Sequence, residues 1–227
     1  MYIRQEKLRP DPSSAKELGP ICGTILGENL LSRVGFMVVG AMTARIGTNP
    51  YAAHLVGMTF MNLGFAFGDG LQAASVALVG RSIGEGDPGK AEKYSWSAQK
   101  FGLMISIVFS VLMAVYYDRI FDMYFPDDPE MTGYGRIIAT FFAVIMPIQV
   151  SKIVFNGTLR GAGDVRFTLI GSTIGITIVQ PIVLWVLTQK MDLGLTGVWI
   201  SILISQGVQW ILFGTRFLSG KWKENVV

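Results

Sequence analysis

Five ionisable side chains lie within or at the edge of apolar stretches of this sequence: Glu28, Arg33, Asp69, Lys152 and, near an interface, Asp164. A charge at the centre of a membrane helix costs roughly 2.5–3.5 kcal/mol on insertion scales, so it is kept where it faces a cavity or a partner. Each is therefore a candidate functional residue. Glu28 leads, eight residues past Pro20 and flanked by Gly27 and Asn29. A carboxylate beside a small residue and an amide suits coordination of a hard cation such as Na⁺, or carriage of a proton. The competing reading is a salt bridge to Arg33, loose because a separation of five departs from i,i+4 spacing. Asp164 closes the run Thr158-Leu-Arg-Gly-Ala-Gly-Asp, where glycines allow a sharp turn bracketed by Arg160 and Asp164. Its competing reading is the N-cap of the following helix. Asp69 sits in Phe67-Gly-Asp-Gly, whose glycines permit close helix approach or a local break. Lys152 is expected to snorkel or to pair, Glu28 being one partner open to it. His54, the single histidine, could titrate near neutral pH, although a plain hydrogen bond near a helix start is its commoner role.

These groups need a scaffold, and composition says which. Of 227 residues, 51% are hydrophobic and only 15% charged, with mean hydropathy +0.46; a globular chain carries about 25% charged residues. That much apolar surface calls for a bilayer as solvent. One cysteine, Cys22, excludes an intrachain disulfide and a cysteine-based metal cluster, and one histidine excludes a multi-histidine site. The net charge of +3 does not indicate nucleic acid, because the charges sit between apolar runs. No phosphate-binding glycine loop, dinucleotide fingerprint, G-x-S-x-G or H-E-x-x-H occurs, which leaves enzymatic and ATP-driven readings without support. Transport would have to draw on an ion gradient.

Six apolar segments are long enough to span, at about 21–46, 52–79, 101–117, 137–158, 167–187 and 197–217, with Pro147 and Pro181 inside two of them. The expected organisation is a polar N-terminal segment (1–18) without a cleavable leader, a six-helix lobe (19–218) and a short tail (219–227). Glycine- and proline-rich turns separate the segments, and 90–100 reads as an amphipathic lead-in at the interface. Thirteen Lys and Arg fall on one side of the expected spans and 4 on the other (Arg45, Arg119, Arg136 and Lys190), which predicts that both termini are cytoplasmic in a cell membrane. Trp185, Trp199, Trp210 and Trp222 fall near expected helix ends, as in an interfacial belt. Met58 and Met61 belong to a methionine set that suits either packing or an adaptable pocket. Gly23 with Gly27, and Gly171 with Gly175, have small-xxx-small spacing.

Several motifs together resemble the multidrug and toxic compound extrusion family. They are Ala41-Met-Thr-Ala-Arg-Ile-Gly-Thr with Tyr51-Ala-Ala-His, Ala73-Ala-Ser-Val-Ala-Leu-Val-Gly-Arg-Ser-Ile-Gly-Glu-Gly-Asp, Thr158-Leu-Arg-Gly-Ala-Gly-Asp-Val-Arg, and Leu193-Gly-Leu-Thr-Gly-Val-Trp. The likeness runs from about Leu18 to Trp222 and is to the second six-helix half of such proteins. Arg81 and Glu85 replace the family's usual Gln and Ala, and Phe67 stands where proline is common.

The resemblance implies an all-α integral membrane lobe of six helices. It implies export of amphipathic, often cationic, organic compounds or drugs by alternating access, driven by Na⁺ or H⁺ with no other cofactor. A second lobe would be needed, either another copy or a separate first-half chain. Glu28 and Asp164 match the family's acids and would ligate Na⁺ if Na⁺ is the coupling ion, with Asn29 and Asp69 beside them. Arg33, His54, Lys152 and Arg160 are the candidates for the substrate cavity or gating. A lipid-linked oligosaccharide flippase of the same superfamily is the nearest alternative, and would want a more cationic cavity than Arg33 and Lys152 supply. A membrane subunit or fragment that does not transport is the third.

Overall fold

A computed structural model describes residues 12–224. The expected N-terminal segment therefore lies largely outside the described residues. Among the described residues six helices are long and apolar enough to cross a membrane. They are α1 (Pro12–Ala44), α2 (Thr48–Gly84), α3 (Pro88–Tyr124), α4 (Pro129–Gly161), α5 (Val165–Lys190, with two π-helical stretches) and α6 (Gly194–Leu218). α1 begins before Pro20, which lies inside it. Residues 90–100 are not a separate interfacial segment but the first turns of α3.

The helix starts follow from local chemistry. Asp87 accepts a hydrogen bond from the Lys90 backbone N–H, and Asp128 accepts from Glu130 and Met131. A proline follows each cap at N1, where its missing N–H costs nothing.

α4 is the hub, packed against α2, α3 and α6. Its close fit to α2 comes from glycines. A Cβ on Gly157 would stand 2.8 Å from the Gln72 carbonyl oxygen, and one on Gly161 equally close to that of Val76. Gly68 is tight in turn: its Cβ would meet Ile153 Cδ1 at 2.8 Å. So of the two glycines beside Asp69, Gly68 serves close approach while Gly70 meets nothing within 4 Å, and α2 runs unbroken through both. The small-xxx-small contact falls at Gly157 and Gly161, not at Gly23 and Gly27, which have nothing within 4 Å. Gly171 and Gly175 do make close contacts, with Phe213 and Gln209.

Pro147 lies inside α4 without ending it. Its ring nitrogen cannot donate to the carbonyl four residues back, that of Ala143. Ser110 of α3 takes that carbonyl instead, its hydroxyl donating at 3.3 Å.

α1 leans chiefly on α5 and barely touches α2. Gly35 lets the pair close up, a Cβ there falling 2.9 Å from the Ile176 carbonyl oxygen. Thr177 adds a hydrogen bond to the Leu31 carbonyl at 3.1 Å.

Two apolar cores fill the lobe. One centres on Ile138, Phe142, Met146 and Trp199, the other on Leu159, Phe213, Phe217 and Trp222. Trp199 and Trp222 are fully buried and do not belong to an interfacial belt, while Trp185 and Trp210 are exposed. Trp222 stacks on Phe217 at 5.5 Å in a short 3-10 turn, so the first tail residues pack onto the lobe.

Candidate functional site

Glu28 reaches inward from α1 and is buried. Its carboxylate is held from two sides. Arg160 Nη2, at the end of α4, lies 2.6 Å from Oε2. The Ser172 hydroxyl, from α5, donates to Oε1 at 2.7 Å. Glu28 therefore pairs with Arg160, 132 positions away in sequence, and with neither Arg33 nor Lys152. Ser172 stands immediately before the first π-helical stretch of α5. Such irregular turns are frequent at functional sites.

Asp164 opens α5, but its side chain caps nothing. It accepts from Arg216 Nε of α6 at 2.6 Å, and the same guanidinium lies over the Phe167 ring at 5.3 Å. Arg160 and Asp164, which bracket one turn, thus point to different partners. Glu28 and Asp164 are held by different arginines.

Lys152 is buried and donates to Gln209 Oε1 at 2.9 Å, and Gln209 Nε2 in turn donates to the Ser205 carbonyl at 3.2 Å. Lys152 does not snorkel. Gln72 and Asn156 bridge α2 and α4 at 2.8 Å. Asp69 is exposed, under the influence of the Arg160 and Lys152 charges, and has no ion-pair partner among the described residues.

These groups share a cavity of about 240 Å³, whose polar walls are Glu28, Asn29, Asp69, Lys152, Arg160 and Ser172. An adjoining recess of about 400 Å³ shares Asn29 and Asp69 and adds Arg33 and Asn62. The joined space holds two carboxylates, Glu28 and Asp69, and three cations, Arg33, Lys152 and Arg160. His54 is elsewhere. It stands near the start of α2, edge-on to Trp199 at 5.9 Å and stacked with Tyr51 at 6.4 Å. Among the described residues no group of three His, Cys, Asp or Glu could hold a metal ion.

Sequence reasoning missed Ser172, Gln209 and Arg216. The first two are neutral and escape a search for charges in apolar segments. The signal available was polarity itself, a serine or an amide within a spanning stretch. Arg216 looked like a loop cation because it ends α6. The two departures from the resembled motif explain each other. Arg81 and Glu85 form an ion pair at 2.7 Å, and Lys90 joins Glu85 at 2.8 Å. They tie the end of α2 to the start of α3. These hydrogen bonds, first from Lys90 and then from Arg81, pull the Glu85 carboxyl down to about 2.

The described residues thus form a six-helix lobe of membrane-spanning length and composition, with buried charges on facing helices. The MatE family model matches residues 24–186, and the chain belongs to that family. Among curated relatives it is 25% identical over 231 residues to the "Probable multidrug resistance protein NorM" of Thermotoga maritima, covering 99% of this chain and 48% of the relative. It is 24% identical over 202 residues to "Protein DETOXIFICATION 45, chloroplastic" of Arabidopsis thaliana, covering 88% of this chain and 35% of that one. A solved structure described as MATE in the bent conformation superposes with a TM-score of 0.82 at 19% identity, over 97% of this chain and 49% of the other. The fold is thus that of a MATE transporter lobe. The chain spans about half the length, or less, of the curated relatives it matches.

Proposed function

We propose that this chain forms one lobe of a cation-coupled exporter of amphipathic organic compounds. The observation that carries the reading is Glu28: a buried carboxylate in a cavity, joined to α4 through Arg160 and to α5 through Ser172. Na⁺ or a proton at Glu28 competes with Arg160 for the same oxygens. Neutralising the carboxylate releases the guanidinium and loosens the tie between α1 and the glycine-rich turn at 161–163. An ion can shift a conformational equilibrium only by preferring one state, and competition with an internal cation supplies that preference. Asp164 and Arg216 hold the far side of the same turn. Asn29 and Asp69 line the path to Glu28, and Lys152 and Arg33 set the cavity charge.

The complete transporter needs a second lobe, a further copy or a first-half chain. An even number of spans lets two copies insert the same way round, with both termini in the cytoplasm. Alternating access then works as rocking of one lobe against the other. The test is drug accumulation in cells expressing Glu28→Gln. Export driven by the ion gradient is expected to vanish when compared at matched amounts of protein in the membrane; undiminished export would remove the assignment.

One observation favours a second reading. Arg160 joins Arg33 and Lys152, so cations outnumber carboxylates in the joined cavity. That balance suits the anionic headgroup of a lipid-linked substrate. Flipping of a fluorescent anionic lipid in proteoliposomes, together with failure to export organic cations, would select it.

A further inference from the structure

Beyond the charged cavity, near the start of α2, lies a separate pocket of about 240 Å³ between α1, α2, α5 and α6. Its apolar walls are Phe36, Met58, Met61 and Phe65, with His54 and Gln206 among its polar lining. Apolar and aromatic walls with a few converging polar groups make a small-molecule site, and flexible thioethers adapt to ligand shape. His54 and Gln206 are only 6% and 7% exposed. His54 Nδ1 and Gln206 Oε1 are buried with no hydrogen-bond partner. Such an atom has lost its water without compensation. Both side chains turn about a broad terminal torsion, so each can present an acceptor to the pocket.

The pocket adjoins the charged space and shares walls with it. Phe36 and Phe65 also line the Glu28 cavity, and Met58 lines the recess between them. Along α2, His54 and Asp69 are fifteen residues apart, about 22 Å at the helical rise, which sets the length of ligand that can reach both. Asp69 is the carboxylate of that space with no ion-pair partner among the described residues.

We infer that the His54–Gln206 pocket is a second ligand subsite. It takes the aromatic end of an elongated amphiphile and accepts a hydrogen bond from a hydroxyl or amine on that ring, while the ligand's cationic end rests at Asp69. The inference rests on the export reading only in that the ligand is an exported compound. It concerns binding and not ion coupling.

The test uses the purified chain in nanodiscs and two fluorescent styrylpyridinium cations. One is 4-(4-aminostyryl)-N-methylpyridinium, with an aryl amine and a pyridinium at opposite ends. The other is its dimethylamino analogue, which has no N–H donor. Wild type is expected to bind the amino probe about tenfold more tightly, one hydrogen bond's worth. Gln206→Leu should erase that ratio and leave the dimethylamino affinity unchanged. Asp69→Asn should weaken both probes about tenfold. Equal affinity of the two probes for wild type would overturn the inference without any variant having to fold. So would a ratio that survives both Gln206→Leu and His54→Phe, or no binding of either probe. Loss of the export reading by the Glu28→Gln assay would leave the probe ratio untouched, so the two failures are separable.

Discussion

Arg160 Nη2 lies 2.6 Å from Glu28 Oε2, an arginine at the end of α4 holding a buried carboxylate of α1. Removing one member of a buried pair strands the other, which costs about 3–5 kcal/mol. Arg160→Gln is therefore expected to lower thermal stability sharply, and the double variant Glu28→Gln/Arg160→Gln to recover much of it. A double-mutant cycle on unfolding midpoints measures this; additive losses would mean that the pair does not interact. In the presence of saturating coupling ion the Arg160→Gln deficit should shrink, because the ion takes the guanidinium's place.

The contact between α2 and α4 tests the glycine reading. Gly157→Ala places a methyl group against the Gln72 backbone, which cannot yield as a side chain tip can. Overpacking of this kind costs about 1–3 kcal/mol. Gly27→Ala meets nothing within 4 Å and should leave stability unchanged or slightly raised. Denaturation of both variants in one detergent checks the contrast, and equal behaviour would refute it.

Ser110 and Pro147 should be coupled through the Ala143 carbonyl. Ser110→Ala removes the donor to the Ala143 carbonyl and is expected to cost about 0.5–1.5 kcal/mol. In a Pro147→Ala background the new N–H takes that carbonyl, and the cost of Ser110→Ala should fall towards zero. The interaction energy from the cycle is the readout.

The loop between α2 and α3 gives a pH prediction. Glu85 titrates near 2 in the folded chain, held by Lys90 and Arg81. A carboxylate whose folded value is depressed contributes stability that is complete above its unfolded value and is lost as pH falls through the folded one. The window therefore runs downward from the ordinary glutamate value of 4.5 to about 2. Glu85 is exposed, so screening keeps the effect small. Its ¹³C carboxyl shift should move only near pH 2, and in Lys90→Met the midpoint should rise towards the ordinary glutamate range.

The sequence by itself determined the solvent, the number of spans and the groups worth watching. Apolar runs of spanning length and a scarcity of charge dictate membrane helices whatever their packing, because each run must satisfy its own backbone hydrogen bonds. Glu28, Asp69 and Lys152 stood out for the same reason: a charge in such a run needs a cause. What the sequence left open was which charge meets which. Glu28 had Arg33 and Lys152 as local or plausible partners and took Arg160, because the Gly157 and Gly161 contact brings the end of α4 against α2 and aims Arg160 at α1. Asp164 had the chemistry of a helix cap and instead took Arg216, from the next helix, across a whole span and a connection of residues 191–193. Trp222 looked like a membrane anchor and became core, because the chain turns back at Gly220, with φ of 70°, and lays the indole on Phe217. Pairings of this kind depend on helix rotation and crossing, which are set by small residues spread over several segments. A linear reading sees each residue type and its spacing; only the packed lobe decides which faces meet.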